Sequence, residues 1–279
     1  MSVAAGDFDY IAQLVRRRSA IVLEPGKEYL VESRLLPVAR RTGDGSVSEL
    51  VARLRTQPDD GLQHEVVDAM TTNETSWFRD RHPFDALASR ILPDLLARRA
   101  AQREISIWSA GCSSGQEPYS IAMILHGQMS LHPGWQVSIL ATDLSREMLA
   151  KARAGRYGQL EVNRGLPATM LVSHFDRAGI EWVVKDRLRQ LVEFRPLNLA
   201  EPVGPVLPRF DVVFLRNVLI YFDHETKRRV LAQVRRVLRP DGYLFLGGAE
   251  TTLNVDDAFM PVQYDRATCY RLRGGEAPS

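Results

Sequence analysis

The sequence predicts two domains: an all-helical N-terminal domain, then an α/β domain whose parallel sheet ends in an antiparallel hairpin. Two observations predict this. Over residues 7 to about 72, apolar residues recur at helical spacing and no strand signal interrupts them. From Ile105 onward, strand-length apolar runs alternate with helical stretches, which is the wiring of a parallel sheet.

Taken in order, Phe8, Ile11, Leu14 and Val15 mark a first helix. Leu30, Leu35, Leu36 and Val38 mark a second after Pro25-Gly26, and Leu50, Val51 and Leu54 a third that ends near Gln57-Pro58. Leu62, Val66, Val67 and Met70 mark a fourth. Two more helical stretches fall around Phe84–Leu87 and Ile91–Arg99. Strand Ile105–Ser109 then leads to helix Pro118–Gln128, and strand Val137–Thr142 to helix Arg146–Ala154. Residues 173–192 break the alternation: Ile180–Val184 and Leu188–Leu191, separated by Lys185-Asp186-Arg187, read as a small inserted antiparallel hairpin. Strands Val192–Phe194 and Phe210–Leu215 follow, then helix Glu225–Leu238, stopped by Arg239-Pro240-Asp241-Gly242. Strand Tyr243–Leu246 and a terminal pair, Phe259–Tyr264 and Thr268–Leu272 around a turn at Asp265, complete the sheet. The tail after Leu272 is expected to be disordered. The expected boundaries are 1–75 for the helical domain and 76–279 for the α/β domain.

Bulk properties exclude several classes. A chain of 279 residues can bury a full core, and a net charge of +2 is too small to argue for nucleic acid. The longest apolar runs are strand-length, so no membrane insertion is expected. The first residues, Met-Ser-Val-Ala-Ala-Gly-Asp, lack a charged n-region and an apolar h-region, so no signal peptide is expected. Cys112 and Cys269 lie far apart beside apolar segments and read as free thiols in a reducing cytoplasm. No C-x-x-C or paired-histidine spacing suggests a metal.

The stretch Ile107–Tyr119 carries the most chemistry. It reads as a buried strand, a tight loop with Gly111 and Gly115, and the start of a helix. The glycines are expected to let the backbone approach a ligand, and the helix N-terminus offers free N–H groups. The neighbouring strand ends in Asp143, where a carboxylate can accept bonds from two ribose hydroxyls. Ser113 stands where a dinucleotide fingerprint needs glycine, which disfavours a nicotinamide dehydrogenase, and no lysine completes a P-loop. Glu117, in the first helical turn, would repel a pyrophosphate but suits a hydroxylated or cationic ligand. S-adenosylmethionine carries a ribose, an amino group and a sulfonium, and no phosphate, so the loop favours it. A plain strand–helix turn with Glu117 on the helix dipole is the competing reading.

Two further segments add polar groups. Asn73, Thr75 and Arg79 lie together before the α/β domain, with Trp77 and Phe78 able to cover an adenine or to fill core. Arg216, Asn217 and Tyr221 follow the end of strand Phe210–Leu215, where ligands of open α/β sheets bind. There Arg216 could hold a methionyl carboxylate, Asn217 its amino group, and Tyr221 could line a methyl-transfer channel or cap core. Asn198, in the turn Pro196-Leu197-Asn198-Leu199, is a candidate partner for adenine.

In order and spacing these segments resemble one family, the chemotaxis receptor glutamate O-methyltransferases, or CheR family. The matching pieces are Thr72–Thr75 with Trp77-Phe78-Arg79, Ser109–Ser120, Ala141–Asp143, Asn198-Leu199, Arg216–Val218 with Ile220–Phe222, and Pro240–Gly247. The resemblance implies a Rossmann-like class I methyltransferase domain with a small inserted β-subdomain, preceded by a helical domain that recognises the receptor. It implies S-adenosylmethionine as cofactor, held by Asn73, Thr75, Arg79, Glu117, Asp143, Asn198, Leu199, Arg216 and Asn217, with Arg79 and Tyr221 at catalytic positions and S-adenosylhomocysteine as product. The partners it implies are the cytoplasmic signalling domains of chemoreceptors (methyl-accepting chemotaxis proteins). Two departures stand out: Ala249 precedes Glu250 where the family commonly has serine, and the insert has only Gly179 near its tip. The compact insert leads us to expect independence from a receptor C-terminal pentapeptide tether. Lys27, Arg34, Arg40 and Arg41 cluster around the second helix and form either a receptor-facing basic patch or part of a mixed solvated surface. A small-molecule methyltransferase would explain the loop but not the helical domain together with Asn73–Arg79; a non-catalytic receptor scaffold is disfavoured by the intact Arg79, Asp143 and Tyr221.

Overall fold

The computed structural model describes residues 3–57, 59–202 and 207–274. Pro58 and residues 275–279, on which the expected end of the third helix and most of the tail fall, lie outside the described residues. The chain divides into two compact units, Met1–Thr72 with Tyr221–Thr226, and Asn73–Ile220 with Lys227–Ser279.

The first unit contains α1 (Ala5–Ser19), α2 (Glu28–Arg41), α3 (Val47–Thr56) and α4 (Asp60–Met70). Ser46 and Asp59 cap α3 and α4 by accepting N–H bonds with their side chains. Phe8, Ile11, Leu14, Val15, Leu35, Leu50, Leu54, Val66 and Met70 form one core, so most of the residues at helical spacing are buried, Leu30 and Leu36 only partly. The segment carrying Tyr221 and Phe222 joins this unit: Val22 N–H donates to the Tyr221 carbonyl at 3.0 Å and Ile21 forms a bridge with Phe222. Three of the four clustered basic residues are engaged inside the unit. Arg34 donates to the Met70 and Thr71 carbonyls at the end of α4, Arg41 pairs with Glu65 at 2.9 Å, and Lys27 pairs with Glu24 at 3.2 Å.

The second unit begins with α5 (His82–Ala86) and α6 (Leu92–Arg98), joined by a π-helical turn over Leu87–Ile91. There follow β1 (Glu104–Ala110), α7 (Gln116–Met129), β2 (Gln136–Asp143), α8 (Arg146–Ala154), β3 (Arg156–Gly158), α9 (Gln159–Asn163), α10 (Ala168–His174), β4 (Phe175–Ala178), β5 (Glu181–Val184), α11 (Asp186–Arg189) and β6 (Val192–Pro196). The chain closes with β7 (Phe210–Leu215), α12 (His224–Val237), β8 (Leu238–Leu246), β9 (Phe259–Tyr264) and β10 (Ala267–Leu272). The seven-stranded sheet runs β6-β2-β1-β7-β8-β10-β9; its first five strands are parallel and β9 and β10 form the antiparallel end. Between β1 and β7 the strand order reverses, and crevices at such points hold ligands outside the carboxyl ends of the strands.

Two expectations are corrected. Leu188–Leu191 is not a strand: Asp186–Arg189 forms the short helix α11, and Leu188 is buried in the main core. The inserted sheet is instead three-stranded, β3-β5-β4, recruiting Arg156–Gly158 from before the expected insert. The helix stops where expected, at Val237, but the strand expected from Tyr243 begins already at Leu238: Arg239–Gly242 is a bulge inside β8, where pairing with β7 passes from Phe210–Leu238 to Val212–Tyr243.

Candidate functional site

The loop after β1 is held by the neighbouring strand and by the segment before α5. Gly111 and Cys112 N–H groups donate to the Thr142 carbonyl at 2.7 and 2.9 Å. Ser113, at φ 49°, donates its N–H to Asp143 Oδ2 at 2.7 Å and its hydroxyl to the Asn73 carbonyl at 2.8 Å. Gly111 and Gly115 both have positive φ, and their lack of a Cβ serves packing by the chain itself rather than only ligand approach. A Cβ on Gly111 would overlap Val218 Cγ2, and one on Gly115 would meet Ala152 Cβ at 2.9 Å and the Tyr157 hydroxyl at 3.0 Å.

Asp143 Oδ1 accepts from Ser145 N–H at 2.9 Å, so each carboxylate oxygen is oriented by a backbone bond. Burial pushes its carboxyl above the usual range, opposed by the N–H bonds from Ser145, Ser113 and Leu144. Glu117 accepts from the Ser109 hydroxyl at 2.8 Å and from Arg216 Nη1 at 3.1 Å. Burial raises its carboxyl as well, against the attraction of Arg216 and Arg79. Arg216 is 5% exposed and donates Nη2 to the Arg79 carbonyl at 2.8 Å and to Asp80 at 2.7 Å. Its Nε is buried without a partner. Both terminal nitrogens of Arg216 thus organise Glu117 and the Arg79 segment.

Arg79 lies in a strained stretch: Phe78, Asp80 and Arg81 all have positive φ, at 48°, 63° and 42°. Its guanidinium donates to the Glu74 carbonyl at 3.0 Å. Trp77 is core, edge-on to Tyr157 at 4.9 Å and to Phe175 at 5.3 Å, which leaves the adenine-covering alternative without it. Asn73 and Thr75 line a cavity of about 170 Å³ with Ser114, Gln116, Met148 and Lys151. Asn198 accepts from Ala200 N–H at 3.1 Å and donates to Glu201 at 2.9 Å, and the Leu199 carbonyl accepts from Gln233 at 3.1 Å.

Asn217 follows β7 at φ 57°, and its N–H donates to Glu250 Oε2 at 2.7 Å. The same carboxylate accepts from Gly247, Val218 and Ile220 N–H groups at 2.6, 2.9 and 3.2 Å. Tyr221 ends the 3-10 turn Leu219–Tyr221 directly after this stapled turn. Glu250 is the site residue that sequence reasoning missed; the signal was the glycine-rich end of β8 followed by an acid. Among the sequence-expected positions, the second unit brings Asn73 to the Ser113 loop, Asp143 to the same loop, and Glu117, Arg216 and Arg79 into one cluster.

A parallel sheet with an antiparallel end, a glycine loop after β1 and an acid at the end of β2 place the chain among the Rossmann-like α/β proteins that bind a nucleoside cofactor. The chain belongs to the CheR methyltransferase family: its all-alpha domain matches residues 6–71 and its SAM binding domain residues 73–268. Chemotaxis protein methyltransferase 1 of Pseudomonas aeruginosa is 46% identical over 277 residues, covering 98% of this chain and 100% of that protein. Chemotaxis protein methyltransferase Cher2 of Pseudomonas putida is 41% identical over 281 residues, with 98% and 100% covered. Chemotaxis protein methyltransferase 1 of Vibrio cholerae is 42% identical over 277 residues, with 98% and 99% covered. The protein is therefore a methyltransferase of chemotaxis that uses S-adenosylmethionine. Among the described residues, no helix is long and apolar enough to cross a membrane.

Proposed function

We propose that the protein is a cytoplasmic protein-glutamate O-methyltransferase acting on chemoreceptor signalling domains. The observation that carries this is the family's two-part match, the all-alpha domain over residues 6–71 and the cofactor domain over residues 73–268. A glutamate with a pKa of about 4.3 is already ionised near neutral pH, so the reaction needs no general base. The cofactor supplies an electrophilic methyl on a sulfonium. The glutamate oxygen forms the new C–O bond as the C–S bond breaks, and the bonding pair passes to sulfur to leave a neutral thioether. The chain's work is to bind, orient and partly desolvate the reacting carboxylate.

In this reading Asp143 would accept from the ribose hydroxyls, and Asn198 and Leu199 would flank the adenine. Asn73, Thr75 and Glu117 face the remaining polar groups of the cofactor. Arg216 acts through Glu117 and offers its buried Nε toward the amino-acid end, with Asn217 beside it. Arg79 holds negative charge at the reacting centre, and Tyr221 donates a bond to the carboxylate. The helical unit recognises the receptor, and the compact insert works without a pentapeptide tether. With Lys27 and Arg41 paired to acids and Arg34 held by backbone carbonyls, receptor recognition in this reading depends more on shape than on a basic patch.

Incubation with radiolabelled S-adenosylmethionine and a panel of chemoreceptor signalling domains tests the proposal. Label on receptor that mild base releases supports a carboxyl methyl ester. No label on any receptor, with transfer to a small molecule instead, would replace this reading. Deleting the C-terminal pentapeptide of a labelled receptor should leave the rate unchanged.

A further inference from the structure

Tyr157 connects the inserted sheet to the Gly111–Gly115 loop. Tyr157, on β3, is fully buried and donates its hydroxyl to the Ser114 carbonyl at 2.7 Å. Ser114 precedes Gly115, the residue at φ 95° that caps α7, and the same hydroxyl lies 3.0 Å from where a Gly115 Cβ would stand. The phenol oxygen and Ala152 Cβ together form the floor of the loop. Burial holds that phenol well above its ordinary range, so it remains a donor at any working pH.

Tyr157 also supports the Asn73–Arg79 segment. Its ring packs edge-on against Trp77 at 4.9 Å, and Trp77 N–H donates to the Arg164 carbonyl at 3.0 Å in the turn after α9. Gly165, at φ 93°, leaves no room for a Cβ against the Trp77 carbonyl. Two ion pairs join the same regions, Lys151 with Glu161 at 2.6 Å and Arg164 with Glu74 at 2.9 Å. Those pairs are substantially exposed and contribute little by themselves. The buried hydroxyl is the contact with a defined direction.

We propose that Tyr157 is a positioning residue for the cofactor, setting the Ser114–Gly115 backbone from beneath through its hydroxyl. The inference rests on reading Gly111–Gly115 as the cofactor loop. The inserted subdomain then has a role in cofactor affinity that does not depend on any receptor contact. Removing the hydroxyl leaves the Ser114 carbonyl without its buried donor and lets the loop relax away from the geometry that binds.

The test uses the full chain and S-adenosylhomocysteine as probe. Tyr157→Phe should weaken its binding in titration calorimetry about tenfold, the loss expected for one buried hydrogen bond. KM for S-adenosylmethionine should rise by a similar factor, with kcat at saturating cofactor and KM for receptor within about twofold of wild type. A merely structural role would reduce the active fraction and leave KM for the cofactor unchanged. para-Aminophenylalanine introduced at position 157 keeps an N–H donor and should restore binding, which covers the case in which the phenylalanine variant folds poorly. Equal affinity in wild type and Tyr157→Phe, or a folded donor variant that restores nothing, would overturn the proposal. A wild-type protein that bound no S-adenosylhomocysteine would instead overturn the reading of the loop.

Discussion

Glu250 is the residue whose replacement the geometry predicts most directly. Its carboxylate accepts N–H bonds from Gly247, Asn217 and Val218 at 2.6, 2.7 and 2.9 Å, all part-buried, and a longer, exposed one from Ile220 at 3.2 Å. These bonds turn the chain after β7 and hold Asn217 in its left-handed conformation. Gly247 has no room for a Cβ beside Asn217 and Glu250, so the turn has little freedom to find other partners. Glu250→Ala orphans three sheltered donors at about 1 kcal/mol each, a loss of about 3 kcal/mol, with the Ile220 group returned to water. For a domain of this size that is a fall of roughly 6–12 °C in unfolding midpoint. Glu250→Gln keeps one acceptor oxygen and sets an NH₂ against the remaining N–H groups, so its loss should be smaller but not absent. Scanning calorimetry reads the midpoint, and titration with S-adenosylhomocysteine reads the effect on the site. An unchanged midpoint together with unchanged affinity in Glu250→Ala would refute the claim that this carboxylate organises the turn.

Arg79→Ala should lower kcat by about 100-fold while the Kd for S-adenosylhomocysteine changes by less than about threefold, because its proposed role is at the reacting carboxylate; unchanged turnover would remove Arg79 from the mechanism. Gly111→Ala should destabilise by roughly 2 kcal/mol or more, combining a strained positive φ with overlap on Val218 Cγ2, as measured by denaturant unfolding. His174 is 8% exposed, its Nδ1 lacks a partner, and burial, followed by His126, Arg187 and Lys185, pushes its pKa down to about 4. A depressed histidine contributes stability that is present above the unfolded value of about 6.5 and lost as pH falls toward about 4. The midpoint of wild type should therefore drop more between pH 7 and pH 5 than that of His174→Gln, and equal drops would contradict this. Receptor methylation should depend only weakly on salt, since Arg34, Arg41 and Lys27 already have partners; a steep loss with salt would restore the basic patch.

The helices of the first unit and the parallel strands of the second were legible because burial follows period: Leu14 and Leu35 are buried at helical spacing, and Phe210–Leu215 is buried throughout. The loop chemistry at Ser113 and Asp143 was legible because strand, turn and helix follow one another in the chain. The three-stranded insert was not. Arg156–Gly158 is too short to show a pattern, and Leu188–Leu191 has apolar ends that suit a strand or one helical turn equally. Tertiary partners were equally hidden. Nothing local says that Tyr157 supports Ser114, or that Arg216, read as a ligand group, has both terminal nitrogens on Glu117, Asp80 and the Arg79 carbonyl. The role of Glu250 was hidden as well, because three of its four donors come from a turn some thirty residues away.

The most direct test of the central claim is tandem mass spectrometry of a chemoreceptor signalling domain after incubation with the protein and isotopically labelled S-adenosylmethionine. The labelled methyl should appear on glutamate side chains as an ester, removed by mild base and formed about 100-fold more slowly when Arg79→Ala replaces wild type. Methyl found on lysine, arginine or a small molecule, with glutamates unmodified, would contradict it.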